Sequence, residues 1–253
     1  MANGVQSLDR ALRILEVLAS SDRGLGISEV SRRVKLPAST SHRLLSTLSH
    51  RGFVTQLGDE TYQLGHKVVE MGQTYLEASQ LCRTVRPFLE NVGGRTGESA
   101  FLVVADRGEA FYVDKVESPR MLRVFSRIGH RAPLYCTASG KILLSGYADD
   151  QLKRYLKQTR LIRLTRNTIT SAAALRAEVQ NIRHRGYAYD LEECEGGARC
   201  IAVPLCGFNG RVLAALSVSG PSSRLSRKKM EEVAGFLTGV GKQISAQLGC
   251  SIA

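Results

Sequence analysis

The apolar residues keep a helical spacing from Val5 to Leu48 and then abandon it. That change of period constrains the fold more than any other feature of the chain. Val5, Leu8, Leu12, Leu15 and Leu18 recur at three and four residues, with Ala11 and Ala19 beside them, until Ser21-Asp22-Arg23-Gly24 breaks the run. Ile27, Val30 and Val34 mark a short second helix with Ser28 as its expected N-cap. Lys35-Leu36-Pro37 makes a tight break, and Pro37 suits the first turn of a third helix. The core face of that helix is Leu44, Leu45 and Leu48, and Gly52 is placed to end it. Two extended stretches follow, 53–56 and 61–64, joined by the turn Leu57-Gly58-Asp59-Glu60. Three helices and a hairpin describe a winged helix-turn-helix.

In such a unit the second helix of the pair enters the DNA major groove by its N-terminal end. Here it carries Ser39, Thr40, Ser41, His42 and Arg43. Small hydroxyls donate to phosphates or touch bases without a clash, and Arg43 can fork onto a guanine or clamp a phosphate. Arg33 joins them as a candidate DNA-binding residue, because Arg32, Arg33, Lys35, Arg43 and Arg51 form a stretch free of Asp and Glu. The whole chain has a formal net charge of +12, which favours a polyanionic partner. Asp59 and Glu60 suit phosphate poorly, so the tip of the wing is expected to turn away from it. Read from the residues alone, a unit used only for protein contact stays open, and Ser39, Thr40 or Ser41 could equally serve to cap the helix.

From Gly65 to about Leu81 a helical pattern of Val68, Val69, Met71, Tyr75 and Leu76 reads as a linker. Beyond it strands are expected at 100–105, 110–115, 122–126, 186–191, 199–205 and 212–219. Helices are expected at 84–93, 138–147, 150–158, 172–185 and 226–248. Gly207-Phe208-Asn209-Gly210 is a hairpin signal between the last two strands. The expected fold class is α+β: a DNA-binding domain over 1–64, a linker helix over 65–82 and a mixed α/β domain over 83–253.

The second domain carries its own chemical signal. Ala138-Ser139-Gly140-Lys141 opens a helix, and the free amides there suit a carboxylate. A nucleotide-binding loop is excluded, since Gly140-Lys141 is followed by Ile142 and preceded at the required spacing by Tyr135; Gly241-Lys242-Gln243 fails likewise. Asp190 closes one strand, Cys200 starts the next, and Ser217 and Ser219 share one face of the last. A polar face on an apolar strand suggests a lined pocket, although serines facing solvent would leave the same pattern.

Cys82, Cys136, Cys194, Cys200, Cys206 and Cys250 include no C-x-x-C pair, so free thiols in a reducing compartment are expected, and no metal. His42, His50, His66, His130 and His184 are scattered and read as surface residues, and no G-x-S-x-G elbow is present. No catalytic residue and no cofactor are therefore expected; an enzyme fused to a DNA-binding domain is the rival reading. The N-terminal residues lack a secretory pattern and no run is long enough to span a membrane, so the cytoplasm is the expected location. Arg163, Arg166, Arg224, Arg227, Lys228 and Lys229 read as solvated surface or subunit contacts.

The chain resembles the IclR family of bacterial transcriptional regulators over nearly its whole length. The likeness rests on Val5-Gln6-Ser7-Leu8-Asp9-Arg10-Ala11-Leu12, Leu36-Pro37-Ala38-Ser39-Thr40, Arg43-Leu44-Leu45 and Tyr62-Gln63-Leu64-Gly65. It continues in Gly129, Pro133, Ala138, Gly140-Lys141, Gly186-Tyr187, Asp190, Glu192-Glu193, Gly197, Cys200-Ile201-Ala202-Val203-Pro204 and Ser217-Val218-Ser219-Gly220-Pro221. The resemblance implies a GAF-like effector domain after the linker, and homodimers or homotetramers that grip double-stranded operator DNA. It implies a small-molecule effector, an organic or aromatic acid, on the amides of Ala138 and Ser139 and on Asp190, Cys200, Ser217 and Ser219. Repression is the expected mode, with activation as the alternative. Ser139, Tyr135 and Cys136 depart from the smaller residues usual in relatives, so a narrower or more polar pocket is expected.

Overall fold

The computed structural model describes residues 5–58 and 60–250, with the backbone alone at 73 and 75–78. The expectations for Asp59 and for the Tyr75 and Leu76 side chains lie outside what is described. The chain divides between Ser79 and Gln80 into two compact units.

The first unit runs α1 (Gln6–Ala19), β1 (Leu25–Gly26), α2 (Ile27–Val34), α3 (Ala38–His50), β2 (Val54–Gln56), β3 (Thr61–Leu64) and α4 (His66–Ala78). Ile14, Leu18, Leu25, Val30, Val34, Leu45, Val54 and Tyr62 close its core. The core reaches only the second half of α1. Val5, Leu8 and Leu12, read as core positions, are exposed, and Ile14 takes the central place. The first turns of this 14-residue helix therefore carry their apolar residues past the core that α2 and α3 share with it. The N-cap of α2 is Gly26, so Ser28 lies inside the helix. β1, not foreseen, pairs Leu25 with Tyr62 and makes the hairpin a three-stranded wing in the order β1-β3-β2. At the α2–α3 break Lys35 adopts φ 55°, and the Leu36 amide reaches back to the Ser31 carbonyl at 3.0 Å. This left-handed closure ends α2 sharply and lets α3 start three residues later.

The second unit begins with α5 (Gln80–Thr96), so the helix of the linker stops at Ala78 instead of running through 82. β4 (Ser99–Asp106), β5 (Glu109–Val116), β6 (Arg131–Pro133), α6 (Ala138–Ser145), α7 (Asp149–Gln158), α8 (Ala172–Arg185), β7 (Ala188–Leu191), β8 (Ala198–Cys206), β9 (Val212–Pro221) and α9 (Arg227–Gln247) follow. The strands make one antiparallel sheet in the order β6-β5-β4-β9-β8-β7. α5 and α9 pack on one face. α6, α7 and α8 share the other face with Phe101, Val103, Ala202 and Ala215.

The strand expected at 122–126 does not form. Side chains occupy the carbonyls that a sheet ladder would use: Arg224 donates to Leu122 O, Ser99 to Val124 O and Lys115 to Ser126 O. The edge strand is β6 instead, paired with β5 through Ala110 and Ala132. Arg224 is likewise no solvated cation. Its guanidinium clasps both oxygens of the buried Glu98 carboxylate at 2.5 and 2.6 Å. Among the described residues no helix is long and apolar enough to cross a membrane.

Candidate functional site

Ser39, His42 and Arg43 stand exposed along the start of α3, and Thr40 is half-buried there. Ser41 does not join them. It is 0 % exposed, its hydroxyl has no hydrogen-bond partner, and it sits on the core side of the helix. The reading of Ser41 as a DNA contact is corrected on that ground, since a hydroxyl sealed inside the domain reaches neither phosphate nor base. Ser41→Ala is therefore expected to leave DNA affinity unchanged and to hold or slightly raise the melting temperature, because it deletes an unpaired buried group; anisotropy and thermal melts check both. Arg33 is exposed at the end of α2 but is held by Glu29 at 2.6 Å, and Arg23 reaches the same carboxylate at 2.9 Å. The two guanidiniums hold the Glu29 carboxyl below its usual range, Arg33 foremost.

In the second unit the strand register builds a polar row. Asp190 on β7 faces Cys200 on β8, and Cys200 faces Ser219 on β9. Ser217 lies two residues along β9, opposite Ala202 and Phe101, and so shares that face. Ser217 and Ser219 are buried, which removes the solvent-facing alternative. α6 packs over this face from β8 and β9. Helix geometry leaves its first amides without partners in the helix. Thr137 Oγ1 takes the Gly140 amide at 3.0 Å and its own proton goes to Pro133 O at 3.1 Å. The amides of Ala138 and Ser139 remain at the helix mouth, in a buried setting.

Asp190 Oδ1 accepts the Glu193 amide at 2.7 Å and the Cys194 amide at 3.4 Å. Burial nevertheless pushes its carboxyl up to about 7; the Glu193 charge adds to this, while the two amides and the charge of Lys141 act against it. Lys141, one turn into α6, is 1 % exposed and bonds Glu193 Oε1 at 2.5 Å. The ion pair ties the start of α6 to the turn that carries Asp190. Burial raises the Glu193 carboxyl and Lys141 draws it back down.

Three further residues complete the surroundings. Tyr112 meets Phe101 edge-on at 5.4 Å. Burial pushes its phenol far up, and Cys200, Cys194, Asp190 and Cys136 add to the shift. Neither the spacing nor the composition around Tyr112 marks it out. Cys136 is buried and is hydrogen-bonded through its thiol to Cys194. Tyr135, expected to narrow the pocket, spends its hydroxyl on the backbone of Ile162, donating at 3.0 Å and accepting at 3.2 Å. Among the described residues no group of His, Cys, Asp and Glu is arranged to hold a metal ion.

Comparison with known proteins agrees with both halves. The model of the IclR helix-turn-helix domain matches residues 7–58, and that of the bacterial transcriptional regulator IclR C-terminal domain matches 73–246. The chain is 38 % identical to the HTH-type transcriptional regulator KdgR of Escherichia coli over 98 % of this chain and 94 % of that protein. It is 31 % identical to the transcriptional repressor IclR of Escherichia coli, over 97 % and 90 %. Among solved structures, the IclR of Thermotoga maritima superposes with a TM-score of 0.83 at 34 % identity, covering 96 % of this chain and 98 % of that one. An IclR homologue of Microbacterium hydrocarbonoxydans, crystallised with 4-hydroxybenzoate, gives 0.83 at 25 % identity, covering 96 % and 100 %. With a DNA-reading helix in one unit and a buried polar row under a helix mouth in the other, the chain belongs to the bacterial IclR family of transcriptional regulators.

Proposed function

We propose that the chain is a repressor whose hold on operator DNA is set by a small carboxylic acid bound in its second unit. Residues 1–64 read DNA, 65–82 join the units and 83–253 bind the effector. Arg43, Ser39, Thr40 and His42 make the DNA contacts, with Arg33 entering once it leaves Glu29. The acid places its carboxylate on the amides of Ala138 and Ser139, and Asp190, Cys200, Ser217 and Ser219 bind its remaining polar atoms. The observation that carries this reading is the convergence of two unengaged helix amides with a buried polar row on one sheet face. No catalytic role is assigned to any of these residues. The chain works in the cytoplasm as a homodimer or homotetramer, since a two-fold assembly matches a palindromic site. The acid alters DNA affinity by the difference in its own affinity for the two states of the protein.

The test is a melting screen of the full chain against small carboxylic acids, 4-hydroxybenzoate among them, repeated on Ser217→Ala/Ser219→Ala. A stabilising acid whose effect vanishes in the double variant supports the site. A panel without a single shift sinks it.

The same screen has a pH dependence. The native Asp190 carboxyl keeps its proton up to about 7, whereas an unfolded one releases it near 3.9. Between those values the native state binds the extra proton, so stability from this group is full at low pH and is lost as pH rises through 7. The neutral carboxyl can also donate to a bound carboxylate, while the ionised form repels it. Acid affinity is expected to fall as pH rises through about 7. Asp190→Asn is expected to flatten both profiles; profiles unchanged in that variant would assign the pH dependence to another group.

A further inference from the structure

Two thiols beside the polar row have no part in the proposed binding of the acid. Cys136 lies in the turn before α6, one residue ahead of the capping Thr137, and Cys194 lies in the turn between β7 and β8. They come from distant parts of the chain, yet their side chains are hydrogen-bonded to each other. Both belong to the core under α6, where Cys136 is 0 % exposed and Cys194 half-buried. The backbone of Cys194 also donates to Asp190.

We propose that Cys194 and Cys136 form an oxidation site, at which a peroxide converts the thiol pair into a disulfide that closes the acid site. The inference rests on the reading of that site given above. Access and chemistry point to the same order of events. Cys194 is the more accessible sulfur. The hydrogen bond from Cys136 favours the Cys194 thiolate, against burial and the charges of Asp190, Glu195 and Glu193. Cys136 is pushed the opposite way by that bond and by burial. The thiolate is the nucleophile, so Cys194 reacts first. It attacks one oxygen of hydrogen peroxide, the O–O bond breaks, and Cys194 becomes a sulfenic acid as hydroxide leaves and takes a proton to form water. Cys136 gives up its proton and attacks that sulfur, the S–O bond breaks, and the departing hydroxide takes the proton as a second water. The two sulfurs together lose two electrons and the peroxide gains two.

Neither residue is locked in a helix or strand, so the turns can supply the approach to a covalent S–S distance of about 2.05 Å. The new bond would fasten the turn that carries Asp190 to the start of α6. Those are the two sides between which the acid would have to enter, because Asp190, Ser139 and Ala138 are all buried.

The experiment treats the full-length protein with hydrogen peroxide and maps the cysteines by blocking free thiols, digesting without reductant and analysing by mass spectrometry. A linked peptide pair joining Cys136 to Cys194 is expected, lost on dithiothreitol treatment and absent from Cys194→Ser. In Cys136→Ala, or Cys136→Ser if the alanine variant does not fold, a dimedone-trapped sulfenic acid on Cys194 is expected. The half-buried Cys206 and Cys250 act as internal controls. Oxidation of either of them while Cys136 and Cys194 remain blockable would overturn the site. The melting shift given by 4-hydroxybenzoate is expected to be lost in the oxidised protein and restored by dithiothreitol; a shift that survives the linked pair overturns the closure. If no acid shifts the reduced protein, the acid-site reading and the closure fall together, while the peptide map still decides the oxidation site.

Discussion

Lys141→Met is expected to cost the second unit about 3–5 kcal/mol, the penalty of leaving a buried charge without its partner. Glu193 has no easy way out of the interior. The hydroxyls of Thr165 and Thr168 hold the backbone carbonyls of its turn, at 2.6 Å to Glu192 O and 2.7 Å to Glu193 O. Its Oε2 already lacks a hydrogen-bond partner. Without Lys141 the carboxyl must either take a proton or pull the turn open, and Asp190 would move with it. A chemical denaturation series should show the loss as a lower midpoint with an unchanged slope. The double variant Lys141→Met/Glu193→Leu is expected to recover most of it, because apolar replacement of a whole buried pair is often neutral or stabilising. A single variant as stable as the parent would mean that the pair holds nothing together.

Arg43→Ala is expected to weaken operator binding by about 1–3 kcal/mol, roughly ten- to a hundredfold. Arg43 is exposed near the start of α3, where a guanidinium can reach a base edge or a phosphate. Salt dependence separates those roles. Loss of a phosphate contact lowers the slope of log affinity against log salt by about 0.9, whereas loss of a base contact relaxes sequence preference instead. Arg33→Ala is expected to cost less, since its ion pair with Glu29 must break before DNA can use it. Equal affinity of Arg43→Ala and the parent would remove α3 as the reading helix.

What the sequence made legible follows from how locally each feature is encoded. The helices around Leu45, the break at Pro37 and the strands flanking Gly207-Phe208-Asn209-Gly210 depend on period and turn chemistry within a few residues, and they stand where expected. The two-residue β1 depends on pairing with Tyr62, which no local pattern announces. The 122–126 stretch has the composition of a strand but loses its carbonyls to Arg224, Ser99 and Lys115, two of them remote in sequence. Ser41 shares its residue type with Ser39, and only the packing turns one inward and the other outward. In the acid site, Asp190, Cys200 and Ser219 fall into one row because strand register aligns them, a relation that spacing along the chain cannot give. The pairing of Lys141 with Glu193 and the position of Tyr112 arise from tertiary contact alone.

The most direct measurement selects binding sites for the full chain from a random DNA library and then titrates the winner by fluorescence anisotropy, with and without the acid that stabilises the protein most. The account predicts a two-fold symmetric site whose affinity changes by about fivefold or more when the acid is present, with the change abolished in Ser217→Ala/Ser219→Ala. Binding that depends on salt alone, enriches no sequence and ignores every acid would contradict it.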